Sequence, residues 1–323
     1  MKSQVEIEAK YDVAAGQQTP DLVGAAGVAS VRTHPEMELT ATYFDTADLA
    51  LAAAKTTLRR RTGGTDDGWH LKLPLAGGDR LEVHRPIDDS TTPPDELTAV
   101  LTAILRGRAL QPVATLVNRR TVTHLLDADG RVLAELADDA VTGTRHSDED
   151  VTSWRELEVE LVEGGREVLA GLDAAVRAAG IASAGGPSKV ARVLGPLPPA
   201  DASTPSTTSP PTSTPPALAA ALTDLVAADP MVRIDREGGA ARMLDAVRRV
   251  AAALDTTATD ADPPSGDDSA RSDLDRLAGL LAALVEADTG GHPAEVRRVA
   301  LTGVQEELSA PRYLHLLQAL HTP

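Results

Sequence analysis

Charged and apolar residues alternate with a period of two in several separate stretches of this 323-residue chain, and that limits its fold more than any other feature. Side chains alternate faces along a strand, so residues two apart share a face. Glu6, Glu8 and Lys10 fall on one face of the first stretch, Val5, Ile7 and Ala9 on the other. Arg59 and Arg61 share a face, Lys72 sits between Leu71 and Leu73, and Arg80 with Glu82 alternates with Leu81 and Val83. Glu156, Glu158 and Glu160 form a stripe against Leu157, Val159 and Leu161. Candidate strands are Ser3–Tyr11, Thr40–Asp45, Thr56–Thr62, Trp69–Pro74, Arg80–Pro86, Thr115–Asp127, Arg131–Val141 and Ser153–Glu163. Gly63–Gly64, Gly77–Gly78 and Asp129–Gly130 separate neighbours as hairpin turns do. Eight antiparallel strands predict a closed barrel or a sandwich, with helices at Ala47–Ala54, Pro93–Leu105 and Arg166–Ala179.

A composition change ends this region. In Pro196–Pro216, 17 of 21 residues are Pro, Ser or Thr, which predicts a disordered linker. Beyond it, residues 217–323 show helical spacing at Ala217–Ala228, Gly239–Leu254, Asp273–Ala287, Ala294–Leu308 and Arg312–Ala319. The expected class is therefore α+β: an eight-stranded antiparallel β tunnel or barrel in 1–195, then a separate small α-helical region.

The charges also sort the possible functions. A net charge of −17 means that a polyanion must be held in a locally basic site. Aromatics are only 2% of the chain, too few for the stacking platforms of a single-strand nucleic-acid binder. With no cysteine there is no thiolate nucleophile and no sulfur-ligated metal. No stretch approaches ~18 consecutive apolar residues, and the start, MKSQVEIEAKYDV, is charged where a signal peptide is apolar, so a cytoplasmic protein is expected.

On any one strand, alternating charge is usually the solvated face of a half-buried sheet. Taken together, the stripes suggest more. Arginine forks bind phosphate oxygens bidentately, and clustered carboxylates suit hard Mg²⁺ or Mn²⁺. A barrel lined by both would hold a metal–polyphosphate complex.

VEIEAK (Val5–Lys10) fits an E-x-E-x-K signature, followed in order by YFDT (Tyr43–Thr46), TLRRR (Thr57–Arg61), WHLKLP (Trp69–Pro74) and RLEVHRP (Arg80–Pro86). VNRRT (Val117–Thr121), AELADD (Ala134–Asp139), WRELEVEL (Trp154–Leu161) and PSK (Pro187–Lys189) complete the series. With these motifs the chain resembles the CYTH superfamily, the triphosphate tunnel metalloenzymes. The resemblance implies an eight-stranded tunnel with a charged lumen and metal-dependent hydrolysis of triphosphates, inorganic tripolyphosphate foremost. Carried over by position, Lys10, Arg59, Arg61, Lys72, Arg80, Arg119 and Lys189 are substrate ligands, Arg120 being the alternative to Arg119 one register step away. Glu6, Glu8, Glu82, Glu135, Asp138, Glu158 and Glu160 are metal ligands, and Glu6, Glu8 and Lys10 the catalytic set. Glu135 and Asp138 differ in strand parity, so only one faces inward unless a bulge intervenes. Thiamine-triphosphatase, class IV adenylate cyclase and a non-catalytic polyphosphate-binding module are the alternatives.

The stretch Asp229–Asp255, DPMVRIDREGGAARMLDAVRRVAAALD, and the ending SAPRYLHLLQAL resemble parts of a CHAD domain, shortened and degenerate, which implies polyphosphate as a second partner. The 10 Arg, no Lys and 18 acidic residues over 196–323 argue against that, and packing on the barrel or forming a homodimer are the alternatives. His34, His70, His84, His124 and His146 occur singly, without zinc-ligand spacing, and are expected to be structural or surface residues. Trp69 and Trp154 are expected to pack outside the barrel, and Tyr43 and Phe44 in its core.

Overall fold

The computed structural model describes residues 2–14, 16–184, 188–197, 215–258 and 267–321. Its chain divides into two compact units, one of residues 1–93 and 110–197, the other of residues 94–109 and 198–323. The short segment 94–109 thus belongs with the helices, although it interrupts the strands.

The first unit is one antiparallel sheet. Its strands are β1 (Lys2–Glu6), β2 (Glu8–Val13), β3 (Ser30–Thr33), β4 (Met37–Asp45), β5 (Thr57–Thr62), β6 (Gly68–Pro74), β7 (Arg80–Pro86), β8 (Gln111–Leu126), β9 (Val132–Arg145), β10 (Val151–Leu161) and β11 (Ala182–Ser183). The order is β1-β7-β6-β5-β4-β8-β9-β10-β2-β11, with β3 paired to β8. β1 and β2 are one run of chain broken only at Ile7. Its first half pairs with β7 and its second with β10, so the curled sheet returns on itself there. All eight expected strands appear, the first of them split. β3 and β11 went unpredicted because SVRT is exposed at every position and shows no alternation, and β11 is two residues long.

The charged stripes face inward. Leu58, Leu71, Leu73, Leu81 and Val83, the outward neighbours of Arg59, Lys72 and Glu82, are fully buried. Each contributes roughly 1.5–3 kcal/mol by leaving water. On the opposite side Leu157 and Val159 pack with Leu172 and Val176 of α4 (Arg166–Ala178). The sheet is therefore apolar outside, under cover, and charged inside.

The short helix α5 (Lys189–Leu194) was not predicted. Ser188 caps it by accepting from the Ala191 N–H, and Val190, Val193 and Leu194 pack with Ala41, Tyr43, Leu116 and Val141. Gly143 makes room for it: a Cβ there would lie 2.3 Å from Val193 Cγ2. Gly63 supports the β5–β6 turn with φ +85°, and any Cβ would meet the Glu38 carbonyl oxygen at 2.1 Å.

The second unit holds α2 (Asp95–Val100) and α3 (Thr102–Leu105), then α6 (Pro216–Arg233), α7 (Gly239–Ala258), α8 (Asp267–Thr289), α9 (Ala294–Ser309) and α10 (Pro311–Ala319). The remaining helix, α1 (Ala50–Ala53), lies in the first unit. α2 and α3 pack on α6, and α3 also on α10. The core is apolar, with Leu222, Leu225, Val247, Val250, Leu274, Leu281 and Val304 all but fully buried. Asp229 is fully buried within it, accepting from Arg233 (2.6 Å) and from Tyr313 Oη (2.8 Å). Most of the expected Pro196–Pro216 linker, residues 198–214, lies outside the described residues. No helix among the described residues is long and apolar enough to cross a membrane.

Candidate functional site

The inward faces of β1, β2, β4 to β10 and the first residue of α5 enclose a cavity of about 740 Å³. Glu6, Glu8, Lys10, Arg59, Arg61, Lys72, Arg80, Glu82, Glu135, Glu158, Glu160 and Lys189 all line it. Two sequence-derived candidates do not. Strand parity puts exposed Arg119 and half-buried Asp138 on the outer face. There Asp138 accepts from Arg155 (2.8 Å) and from Thr19 (2.5 Å). Their neighbours Arg120 and Asp139 take the lumen positions instead.

Pairing in the lumen is dense. Arg120 grips Asp139 bidentately (2.7 and 2.6 Å) and reaches Glu158 (2.7 Å). Lys189 meets Asp139 (2.9 Å), Glu156 (2.6 Å) and Glu158 (2.6 Å). Lys10 bonds Glu158 (2.5 Å) and Glu8 (3.1 Å). Asp139, Glu156 and Glu158 bring ligand-capable oxygens within 4.8 Å of one another, but three cations already neutralise them. Burial alone would raise the Glu158 carboxyl; Lys10, Lys189 and Arg120 hold it well below the usual carboxylate range.

On the opposite wall Lys72 bonds Glu6 (2.6 Å), and Glu82 lies 3.8 Å from Lys72 and 3.9 Å from Arg59. Buried His70 fixes Glu82: its Nδ1 stands 2.9 Å from Glu82 Oε1 and its Nε2 3.0 Å from the Asp66 carbonyl. Burial, helped by the charges of Arg59 and Arg61 and opposed by the Glu82 hydrogen bond, lowers His70 to about 4, so it is neutral at pH 7. Arg61 pairs with exposed Asp66, yet burial and the charges of Arg59 and Arg120 pull it down to about 10. The Nε groups of Arg59 and Arg61 are buried and meet no protein acceptor. This part of the tunnel has positive charge to spare.

Negative charge is in surplus around Glu160, which faces Glu8 on β2 and Glu135 on β9. Burial and then the charges of Glu6, Glu8 and Glu135, partly offset by Lys72, push its carboxyl up to about 7. Glu160 forms no ion pair among the described residues. A hard divalent cation would relieve this repulsion, and an all-oxygen donor set suits one.

Several lumen residues were missed or misplaced from sequence. Tyr43 lines the cavity and accepts a bond from Arg59 (3.2 Å). Burial would raise its phenol, but Arg59, then Lys189 and Lys72, bring it below its ordinary value. His34 and His124 line the wall as well. Trp154 was expected outside the barrel but lies on the Glu156 stripe, donating from Nε1 to Glu156 (2.5 Å) beneath Arg192 of α5. Trp69 is fully buried on the outer face against Phe44, ring centroids 5.2 Å apart.

A family model described as the CYTH domain matches residues 4–194. Two curated relatives, uncharacterized proteins from two strains of Mycobacterium tuberculosis, are each 39% identical over 222 residues, covering 61% of this chain and 43% of their own. The chain thus spans less than half the length of these relatives. A candidate adenylate cyclase from Bacillus halodurans aligns with a TM-score of 0.41 at 17% identity, over 60% of this chain and 100% of its own. A candidate adenylyl cyclase from Hippeastrum, whose structure is described with a dominant triphosphatase activity, aligns at 0.35 and 18%, over 58% and 95%. Both superpositions are too loose to bear on the chemistry. The match over 4–194 spans more than half of the chain and every strand of the tunnel but the first residues of β1, and on it the protein belongs to the CYTH family.

Proposed function

We propose that the tunnel binds a triphosphate as its Mg²⁺ or Mn²⁺ complex and hydrolyses it, with inorganic tripolyphosphate giving diphosphate and phosphate. The observation that carries this reading is the split of one lumen into a region of surplus cations around Arg59 and Arg61 and a region of surplus carboxylates around Glu160. The guanidinium groups of Arg59, Arg61 and Arg120, with Lys10, Lys72 and Lys189, hold the phosphate oxygens, each charge-assisted contact being worth about 1.5–3 kcal/mol. Glu6, Glu8, Glu158 and Glu160 hold the cation, with Glu82 and Glu135 beside them. When bound, that ion supplies charge neutralisation of the phosphates and polarisation of the attacking water. Positioning and electrostatics supply most of the catalysis in phosphoryl transfer, so no nucleophilic side chain is required. In this reading the carboxylates of Glu8 and Glu160 take the proton that water loses as it attacks.

A second reading rests on the wall of Met37, Leu39, Leu116 and Val122, which gives the cavity an apolar side. Such a wall suits an organic triphosphate such as thiamine triphosphate or ATP, the latter as substrate of hydrolysis or cyclisation. Polyphosphate binding by the CHAD-like helical unit is disfavoured, because Arg233, Arg249, Arg271, Arg297, Arg298 and Arg312 all pair with acids of that unit. Phosphate release from tripolyphosphate, thiamine triphosphate, ATP and long-chain polyphosphate, with and without Mg²⁺, tests these readings. Fastest metal-dependent turnover of tripolyphosphate supports the proposal. Binding without turnover of any of them would make the protein a non-catalytic module.

A further inference from the structure

His34 and His124 are 90 residues apart in sequence, yet His34 Nε2 lies 3.3 Å from His124 Nδ1. Both rings line the tunnel cavity. The placement is built by backbone pairing: β3 runs beside β8, and the His34 N–H continues that ladder by donating to the Val122 carbonyl (2.9 Å). The rings meet edge to face, centroids 4.3 Å apart.

The other side of His124 is also fixed. Its Nε2 lies 3.1 Å from Glu135 Oε1, on the neighbouring strand in direct register. A carboxylate only accepts, so the His124 proton sits on Nε2, and Nδ1 presents a bare lone pair toward His34. This is the arrangement that holds metal-ligating imidazoles, one ring nitrogen free and the other anchored to a carboxylate. The spacing fits as well. Two nitrogens at about 2.0–2.1 Å from one tetrahedral ion lie roughly 3.3–3.4 Å apart.

We infer that His34 Nε2 and His124 Nδ1 form a two-imidazole site for a divalent transition cation of the Zn²⁺ class, oriented by Glu135. The cation binds the tautomer of His34 that carries its proton on Nδ1, so that Nε2 also offers a lone pair. Imidazole nitrogen selects Zn²⁺, Co²⁺ or Ni²⁺ over Mg²⁺, so this site differs in ligand chemistry from the all-oxygen set around Glu160. Water or an anionic ligand in the cavity that both residues line would complete its coordination. The inference does not depend on which reaction the tunnel carries out.

The test is a calorimetric titration of the full chain with Zn²⁺ in a large excess of Mg²⁺, with Co²⁺ absorption as a second readout of nitrogen ligation. One equivalent should bind. His34→Ala and His124→Ala should each weaken it at least tenfold, and Glu135→Ala roughly tenfold through loss of orientation. His292→Ala, in the helical unit, should change nothing. Undiminished Zn²⁺ affinity in the folded His34→Ala/His124→Ala double variant would overturn the site. So would the absence of a bound equivalent in the parent under excess Mg²⁺, which would place any Zn²⁺ binding on carboxylates.

Discussion

The two units of this protein solve the burial problem in opposite ways. The helical unit buries leucine, valine and alanine and admits one main polar cluster, Asp229 with Arg233 and Tyr313. Apart from the wall of Met37, Leu39, Leu116 and Val122, the tunnel unit keeps its apolar side chains on the outside of the sheet and concentrates lysine, arginine, glutamate and aspartate within. Charges taken from water cost several kcal/mol each unless paired with good geometry, and apolar residues of like volume often serve stability equally well. A lumen that keeps a dozen such groups is therefore organised for a charged ligand. The helical unit shows how the same chain packs an apolar core.

Substitutions should break the two units unequally. The largest effect is expected at Arg120, whose removal leaves fully buried Asp139 with Lys189 alone and Glu158 with Lys10 and Lys189. Arg120→Ala should lower unfolding stability by about 3 kcal/mol, the low end for a broken buried ion pair, and weaken triphosphate binding tenfold or more. Arg119→Ala, on the outer face, should stay within about 0.5 kcal/mol of the parent in urea denaturation and bind as the parent does.

Next comes pH. His70 titrates near 6.5 when unfolded and at about 4 when folded. Below 6.5 the unfolded chain takes up a proton that the folded chain refuses. The stability that neutral His70 supports is therefore complete above pH 6.5 and lost as pH falls toward 4. The loss should approach ~3 kcal/mol at the acid end, and denaturation curves of His70→Gln should be flatter over that window.

Arg61→Ala should weaken tripolyphosphate binding tenfold or more by calorimetry, the loss of a contact of roughly 1.5–3 kcal/mol. Unchanged binding would remove β5 from the phosphate-holding wall. The smallest effect is expected in the helical unit, where exposed Arg249 pairs with Asp224 and Asp245. Arg249→Ala should cost less than about 1 kcal/mol and leave turnover untouched.

Much of this comparison is legible in the amino-acid sequence. Period-two alternation located all eight principal strands, and helical spacing located α6 to α10 to within a few residues at most ends. Which face of the strands points inward is not a local property. Alternation is the same for a solvated sheet and for a tunnel, and closure depends on β1 and β2 pairing with β7 and β10, partners 70 to 150 residues away. One-residue register decided between Arg119 and Arg120, and between Asp138 and Asp139. β9 carries Glu135 and Asp139 on one face, so parity with Glu135 was the available signal. α5 left only an indirect trace, Gly143 inside a strand. The His34–His124 pair left none, because β3 lacks any alternation.

In the proposed function the carboxylates around Glu160 hold the divalent ion of a triphosphate-hydrolysing site. Phosphate release from tripolyphosphate, measured across a Mg²⁺ titration for Glu8→Gln and for Glu149→Gln in an exposed loop, tests it most directly. Glu8→Gln keeps the shape of the side chain opposite Glu160 and removes its charge. Turnover at limiting Mg²⁺ should fall sharply in Glu8→Gln and recover in part as Mg²⁺ rises, while Glu149→Gln follows the parent throughout. Identical Mg²⁺ curves for the two variants would remove Glu8 from the metal site.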